Sequence, residues 1–225
     1  KSGLISTLLE NTPAQVTLII RPRRFGKTLG MSMLANFFDI SQDSRQLFKG
    51  LEISGNQALC ADWMNQYPTV FLSFKDIGGT SFENEFNLLR FVIAQLYDNY
   101  KFLLDDPDIP STQKEIFQRL QRQTASLTDI QGALLILTKM LHSYYKKPVI
   151  ILLDEYDVPV AKASSNGYYD AMLEIMRPML STVLKDNPSL RLAVITGCLK
   201  IAKESIFTGT NNLVSDTIQS TLLNE

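Results

Sequence analysis

The sequence predicts an α/β fold with a mostly parallel sheet covered by helices on both faces. Three observations carry this. Four short apolar, β-branched runs, residues 16–20, 69–74, 149–153 and 192–196, are each flanked by polar or turn residues. The last two runs are apolar almost throughout, as a strand covered on both faces must be. Helical spacing fills the stretches between runs, and strands alternating with helices argue for a doubly wound sheet.

The elements follow in order. The strand over 16–20 leads into a helix over 29–38. After the strand over 69–74, Phe86, Leu89, Ile93, Leu96 and Tyr100 fall at helical spacing within 82–104, behind a Thr80…Glu83 capping pair. Residues 105–111 hold two prolines and three aspartates and predict a loop. An amphipathic, charged helix is expected over 113–123, and a strong one over 130–145, entered by Ser126 with Asp129 three residues on. The strand over 149–153 comes next. A helix over 168–184 stops near Asn187-Pro188, before the strand over 192–196. Residues 201–206 read as one or two helical turns, and 213–218 as a candidate fifth strand. There is no repeat and no low-complexity segment. The 225 residues read as a single domain. Residues 81–147 exceed the roughly dozen residues that a bare crossover needs. They form a helical insertion that either covers a sheet edge or serves as a lid or partner-binding element.

Composition narrows the chemistry. The net charge of −1 provides no global field toward nucleic acid or membrane. Cys60 and Cys198 match no metal spacing, and His142 is the single histidine, which argues against a zinc site or a Ser-His-Asp triad. No apolar run reaches the roughly 18 residues of a spanning helix. Residues 1–10 carry no leader-like pattern, so a cytoplasmic setting is expected. The abrupt ends suggest a fragment of a longer chain.

The first strand ends in Arg21-Pro22-Arg23-Arg24-Phe25-Gly26-Lys27-Thr28. A phosphate loop is written G-x-x-x-x-G-K-[ST] between a strand and a helix. The second Gly, the Lys and the Thr are present, and Arg21 replaces the first Gly. Gly26 lets backbone N–H groups approach a phosphate. Lys27 is placed for the β- and γ-phosphates, and Thr28 for Mg²⁺. The following helix turns its positive end to the anion.

The third strand runs into Asp154-Glu155. Carboxylates at a strand's C-terminal end face the crevice where open α/β sheets bind ligands. Asp154 is assigned as a direct or outer-sphere Mg²⁺ ligand, and Glu155 as the group that polarises the attacking water. Thr196, at the tip of the fourth strand, either contacts the γ-phosphate or water, or caps the following turn. Lys200 and Lys203 read mainly as solvated lysines. Arg21, Arg23 and Arg24 either clamp phosphate or pair with acids such as Asp154 and Asp157. Arg177 is the remaining candidate for an arginine finger.

The ordered set of 21–29, Leu47-Phe48-Lys49-Gly50-Leu51, Tyr67-Pro68, 153–159, Thr196-Gly197, 201–207 and Asn211-Asn212-Leu213 resembles the bacterial AAA-ATPase-like domain along almost the whole chain. The resemblance implies a three-layer P-loop NTPase sandwich of the additional-strand, catalytic-glutamate type. It also implies that the strand over 192–196 lies between the phosphate-loop strand and the acidic-pair strand. An Arg at the first loop position is typical of that family, whereas Lys200 stands where it often has Arg. Many members carry a C-terminal domain similar to PD-(D/E)XK nucleases.

The expected nucleotide contacts are Arg21, Pro22, Arg23, Arg24, Phe25, Gly26, Lys27, Thr28 and Leu29, with Thr28 and Asp154 on Mg²⁺. Glu155, Lys27 and Thr196 are the expected catalytic groups. The expected function is Mg-dependent ATP binding with slow hydrolysis, coupled to an oligomeric neighbour or a C-terminal, nuclease-like domain. Nucleic acid would engage only through the full-length protein, and no membrane is expected. The alternative is a nucleotide-gated interaction module with negligible turnover. A GTPase is disfavoured because no N-K-x-D segment is present.

Overall fold

A computed structural model describes residues 2–10, 15–20, 22, 26–198, 207 and 213–216. Its elements run α1 (Gly3–Glu10), β1 (Val16–Ile20), α2 (Lys27–Phe38), α3 (Arg45–Phe48), α4 (Gln57–Trp63), β2 (Thr69–Ser73), α5 (Phe82–Asp98), α6 (Ser111–Gln121), α7 (Leu127–Tyr145), β3 (Val149–Asp154), α8 (Val158–Asn166), α9 (Tyr169–Leu184), β4 (Leu190–Gly197) and β5 (Leu213–Asp216). The five strands form one parallel sheet in the order β2-β3-β4-β1-β5. The strand over 192–196 does separate the phosphate-loop strand from the acidic-pair strand.

Strand alternation divides the interior in two. Ile151, Leu153, Ala193 and Ile195 face one core, shared with α5, α6, α7 and α9. Ile150, Leu152, Leu192 and Val194 face the other, shared with α1, α2 and Phe48. Successive residues of a strand point to opposite faces, so a run apolar at every position calls for cover on both sides. The result is the three-layer sandwich. The insertion between β2 and β3 supplies much of one helical layer, through Leu89, Ile93, Phe117 and Leu137. Tyr100 also donates to the carbonyl of Thr69 on edge strand β2, at 3.1 Å.

Several boundaries differ from the sequence pattern. Ser81, not Thr80, caps α5 by accepting the Asn84 N–H. The helix expected to reach 104 ends at Asp98 and gives way to a 3₁₀ turn, Lys101–Asp105. That bend brings Tyr100 to the sheet edge and buries Leu103. The Ser126/Asp129 capping box forms as read, and Arg119 grips Asp129 through two 3.0 Å hydrogen bonds. Helices α1, α3, α4 and α8 were not legible, because three are short and Pro159 opens the fourth. The turns expected over 201–206 lie outside the described residues. Among the described residues, no helix is long and apolar enough to cross a membrane.

One titratable group inside the helical layer ties the insertion to the sheet tips. Glu85 of α5 is buried and bonds the Tyr168 hydroxyl at 2.5 Å. The same hydroxyl lies 2.6 Å from the carbonyl of Gly79, in the loop leaving β2. Tyr168 has one proton, and Gly79 O can only accept. That proton is shared between two acceptors, Glu85 Oε2 and the Gly79 carbonyl. Burial raises the Glu85 carboxyl above its ordinary range, against the opposing pull of the Tyr168 bond, and the Tyr168 phenol is pushed up to about 12.

A carboxyl raised by folding makes the native state bind more protons than the unfolded chain, so stability falls as pH rises through that window. Glu85→Gln keeps an acceptor for the Tyr168 hydroxyl and removes the titration. The variant is expected to melt a few degrees above wild type at about pH 8, with the gap closing toward about pH 5. Thermal melts across that range read the difference, and a pH-independent gap would show that Glu85 does not titrate in the fold.

Candidate functional site

The site is built at the C-terminal ends of β1, β3 and β4. Ser73 of β2 is in register with Asp154, and Ile20 of β1 with Gly197, so four strand tips align. Gly26 has φ 72°, in the left-handed region that glycine enters without steric cost, and it precedes the first turn of α2. Its carbonyl accepts the Gly30 N–H at 3.0 Å. Lys27 and Thr28 therefore start the helix at the level of the strand tips.

Asp154 is fully buried at the end of β3, and each of its carboxylate oxygens has a hydroxyl partner. Thr28 Oγ1 donates to Oδ2 at 2.9 Å, and Thr196 Oγ1 donates to Oδ1. Thr196 also accepts the Glu155 N–H, at 3.2 Å. The backbone carbonyl of Asp154 accepts the N–H of Phe74, beyond β2. Two sequence-distant segments converge on the carboxylate, and their two hydrogen bonds offset its desolvation.

Glu155 has φ 54°, a left-handed conformation unusual for a non-glycine residue. Such a conformation costs roughly 1–3 kcal/mol and persists where surrounding contacts over-determine it. Here the contacts are Glu155 N–H to Thr196 Oγ1 and Tyr156 N–H to Thr196 O. The kink turns the chain out of the sheet directly after Asp154. Tyr156 then folds inward, fully buried against Phe207. A Cβ at Gly197 would lie 2.5 Å from the Tyr156 ring, so glycine there permits the packing.

Lys27 Nζ donates to the carbonyl of Pro22 at 3.0 Å and to Cys198 Sγ at 3.2 Å. Asp157 is buried, and its Oδ2 accepts the Cys198 N–H at 2.9 Å. Asp157 and Cys198 thus join the constellation, although neither was singled out as a site residue. The spacing Asp154-Glu155-Tyr156-Asp157 was the available signal, because one helical turn after the kink returns the second aspartate to the tip of β4. Of the other expected contacts, Pro22 and Leu29 are exposed, while Arg21, Arg23, Arg24, Phe25, Lys200 and Lys203 lie outside the described residues. Arg177 is exposed in the middle of α9.

The donor set suits a hard cation shared with a polyphosphate. Thr28 Oγ1 and Asp154 Oδ2 are adjacent oxygens. Mg²⁺ is commonly held by one or two protein oxygens together with phosphates and waters. Among the described residues, no group of three or more His, Cys, Asp or Glu forms a metal cage.

Comparison with known proteins agrees with this architecture. The chain is similar to a curated protein of Azotobacter chroococcum mcd 1 named "Uncharacterized protein in vnfD 5'region", with 28% identity over 221 residues. The match covers 98% of this chain and 37% of that protein, so the chain spans little more than a third of the relative's length. No solved structure matches it. With a family sequence model described as "Predicted AAA-ATPase" matching residues 1–207, the chain belongs to the AAA-ATPase-like family.

Proposed function

We propose that the chain binds Mg-ATP on residues 21–29 and hydrolyses it slowly, coupled to a neighbouring protomer or to a nuclease-like domain of a longer protein. The observation that carries this reading is the hydrogen-bonded set Thr28–Asp154–Thr196 beside the left-handed Gly26. In this reading the loop's backbone N–H groups and the first turn of α2 cradle the phosphates. Arg21, Pro22, Arg23, Arg24, Phe25 and Leu29 line the nucleotide. Lys27 exchanges a carbonyl and a sulfur for charged β- and γ-phosphate oxygens, a favourable trade of neutral for ionic partners. Thr28 and Asp154 would hold Mg²⁺, which would supply positive charge against the phosphates. Glu155 orients a water and takes its proton as the water oxygen attacks the γ-phosphorus. The bond from that phosphorus to the β–γ bridging oxygen breaks, and ADP leaves with the electron pair. Thr196 holds the acidic pair in place or turns to the γ-phosphate. The free thiols of Cys60 and Cys198 suit a reducing cytoplasm.

The second reading, a nucleotide-gated module with negligible turnover, takes Arg177, exposed in the middle of α9, as serving a surface ion pair and not the γ-phosphate.

Lys27→Ala is expected to weaken Mg-ATP binding by about a hundredfold or more, since it removes the cation at the β/γ-phosphates. Calorimetry checks this, and unchanged affinity in a folded variant removes the phosphate-loop assignment.

Glu155→Gln is expected to retain ATP binding while turnover drops by roughly 10²–10⁴, the contribution of a positioned general base. Equal single-turnover rates in wild type and variant would take Glu155 out of the chemistry.

The isolated chain is expected to hydrolyse ATP slowly, with a rate that rises with protein concentration or added partner. An arginine supplied from another surface contributes roughly a thousandfold or more in such enzymes. A fast, concentration-independent single-turnover rate would point instead to a cation within the chain, with Arg177 the first to substitute.

A further inference from the structure

We propose that Asp157 is a positioning residue for hydrolysis: its carboxylate holds the tip of β4, and through that tip it keeps Thr196 and Glu155 in place when a nucleotide is bound. This inference rests on the ATP reading and adds a residue that acts only through others. The β3–β4 ladder stops just before the site. Its last paired residues are Leu153 and Ile195, and the chain leaves the sheet at the left-handed Glu155. Three bonds then hold β4 to the departing segment. Glu155 N–H donates to Thr196 Oγ1 at 3.2 Å, Tyr156 N–H to Thr196 O at 3.1 Å, and Cys198 N–H to Asp157 Oδ2 at 2.9 Å. β3 ends at Asp154, and the Asp157 carboxylate supplies the acceptor beyond it.

This use of Asp157 is unusual for its place. It stands at the N-cap of α8, where an aspartate ordinarily accepts an N–H of its own helix. Its side chain makes no such bond to the described first turn of α8 and reaches β4 instead. The contact is buried, with Asp157 only 2% exposed. It is also close-fitting, since a Cβ at Gly197 would lie 3.0 Å from Asp157 Oδ1. Local helix stability favours a capping aspartate, so the diversion of this side chain to the strand tips argues for a task there.

The task follows from what Cys198 touches. Its sulfur accepts from Lys27 Nζ at 3.2 Å. In the ATP reading Lys27 leaves that sulfur for the phosphates, and the end of β4 loses a contact. Asp157 retains the backbone of Cys198, so the strand tip does not follow the lysine. Thr196, two residues back, then keeps its bonds to Asp154 Oδ1 and to the Glu155 N–H. The backbone that presents Glu155 stays in place, and misplacement of a reacting group by about an ångström costs roughly a hundredfold in rate.

The test separates the bond from the fold. Asp157→Ser keeps a favoured N-cap residue for α8, but its hydroxyl is one bond short of Cys198. Asp157→Asn keeps an oxygen at full reach that accepts the same N–H. Wild type and both variants are compared by calorimetry with Mg-ATP, by single-turnover hydrolysis with the chain in excess, and by hydrogen exchange of the Cys198 amide without nucleotide. In Asp157→Ser the single-turnover rate is expected to fall about tenfold to a hundredfold. Its Mg-ATP affinity should stay within about twofold of wild type, and its Cys198 amide should exchange faster. Asp157→Asn is expected to keep a rate and a Cys198 protection close to wild type. An unchanged rate in Asp157→Ser overturns the proposal. A parallel loss of affinity and rate also overturns it, since the side chain then serves the fold of the whole site. A slow Asp157→Asn with Cys198 still protected does the same, because the bond is then not what sets the rate. Wild type that binds Mg-ATP without turning it over leaves nothing to position and overturns it too. Wild type that fails to bind Mg-ATP refutes the ATP reading beneath the proposal.

Discussion

The buried carboxylate of Asp154 is the constraint on which the rest of the site depends. A charge taken out of water is tolerated only when its lone pairs are met, and here the partners come from elements far apart in sequence. Thr28 supplies one from the start of α2, and Thr196 another from the tip of β4. Those hydroxyls reach Asp154 with β4 lying between β1 and β3, the observed order. The same threonine steadies the left-handed Glu155. One hydroxyl therefore links the position of the first carboxylate to the backbone that presents the second.

The sheet owes its stability to a different part of the sequence. Strands β3 and β4 are buried almost throughout, with alternate residues in separate cores. Such strands carry no polar group except at their ends. Chemistry is thereby confined to the tips, where the loops leave the sheet. The insertion between β2 and β3 contributes to the helical layer that makes this confinement possible. Its one buried acid, Glu85, reaches through Tyr168 to the loop after β2. That contact gives the helical layer a polar tie to the rim of the site.

Two glycines mark where backbone takes the place of side chain. At Gly26, a positive φ brings the loop round into α2. At Gly197, the absence of a Cβ admits the ring of Tyr156, which follows directly from the turn at Glu155. The first shapes the mouth of the site through its left-handed backbone, and the second its wall through a close approach that a larger residue would prevent.

The sequence by itself determined the alternation of strands and helices, the strand-to-helix turn at Gly26-Lys27-Thr28, and the acidic ending of the third strand. Each is a local pattern: apolar periodicity, a turn residue at a fixed offset, a charge after an apolar run. The helix boundaries near Ser81 and Asp98 were less legible, because capping geometry and the reach of Tyr100 to Thr69 decide them. The partners of Asp154, the contact of Lys27 with Cys198 and the recruitment of Asp157 were decided only by the tertiary structure. Those pairs lie 41 to 171 residues apart. Parallel strands brought side by side out of chain order create such neighbours, and no spacing along the chain encodes them.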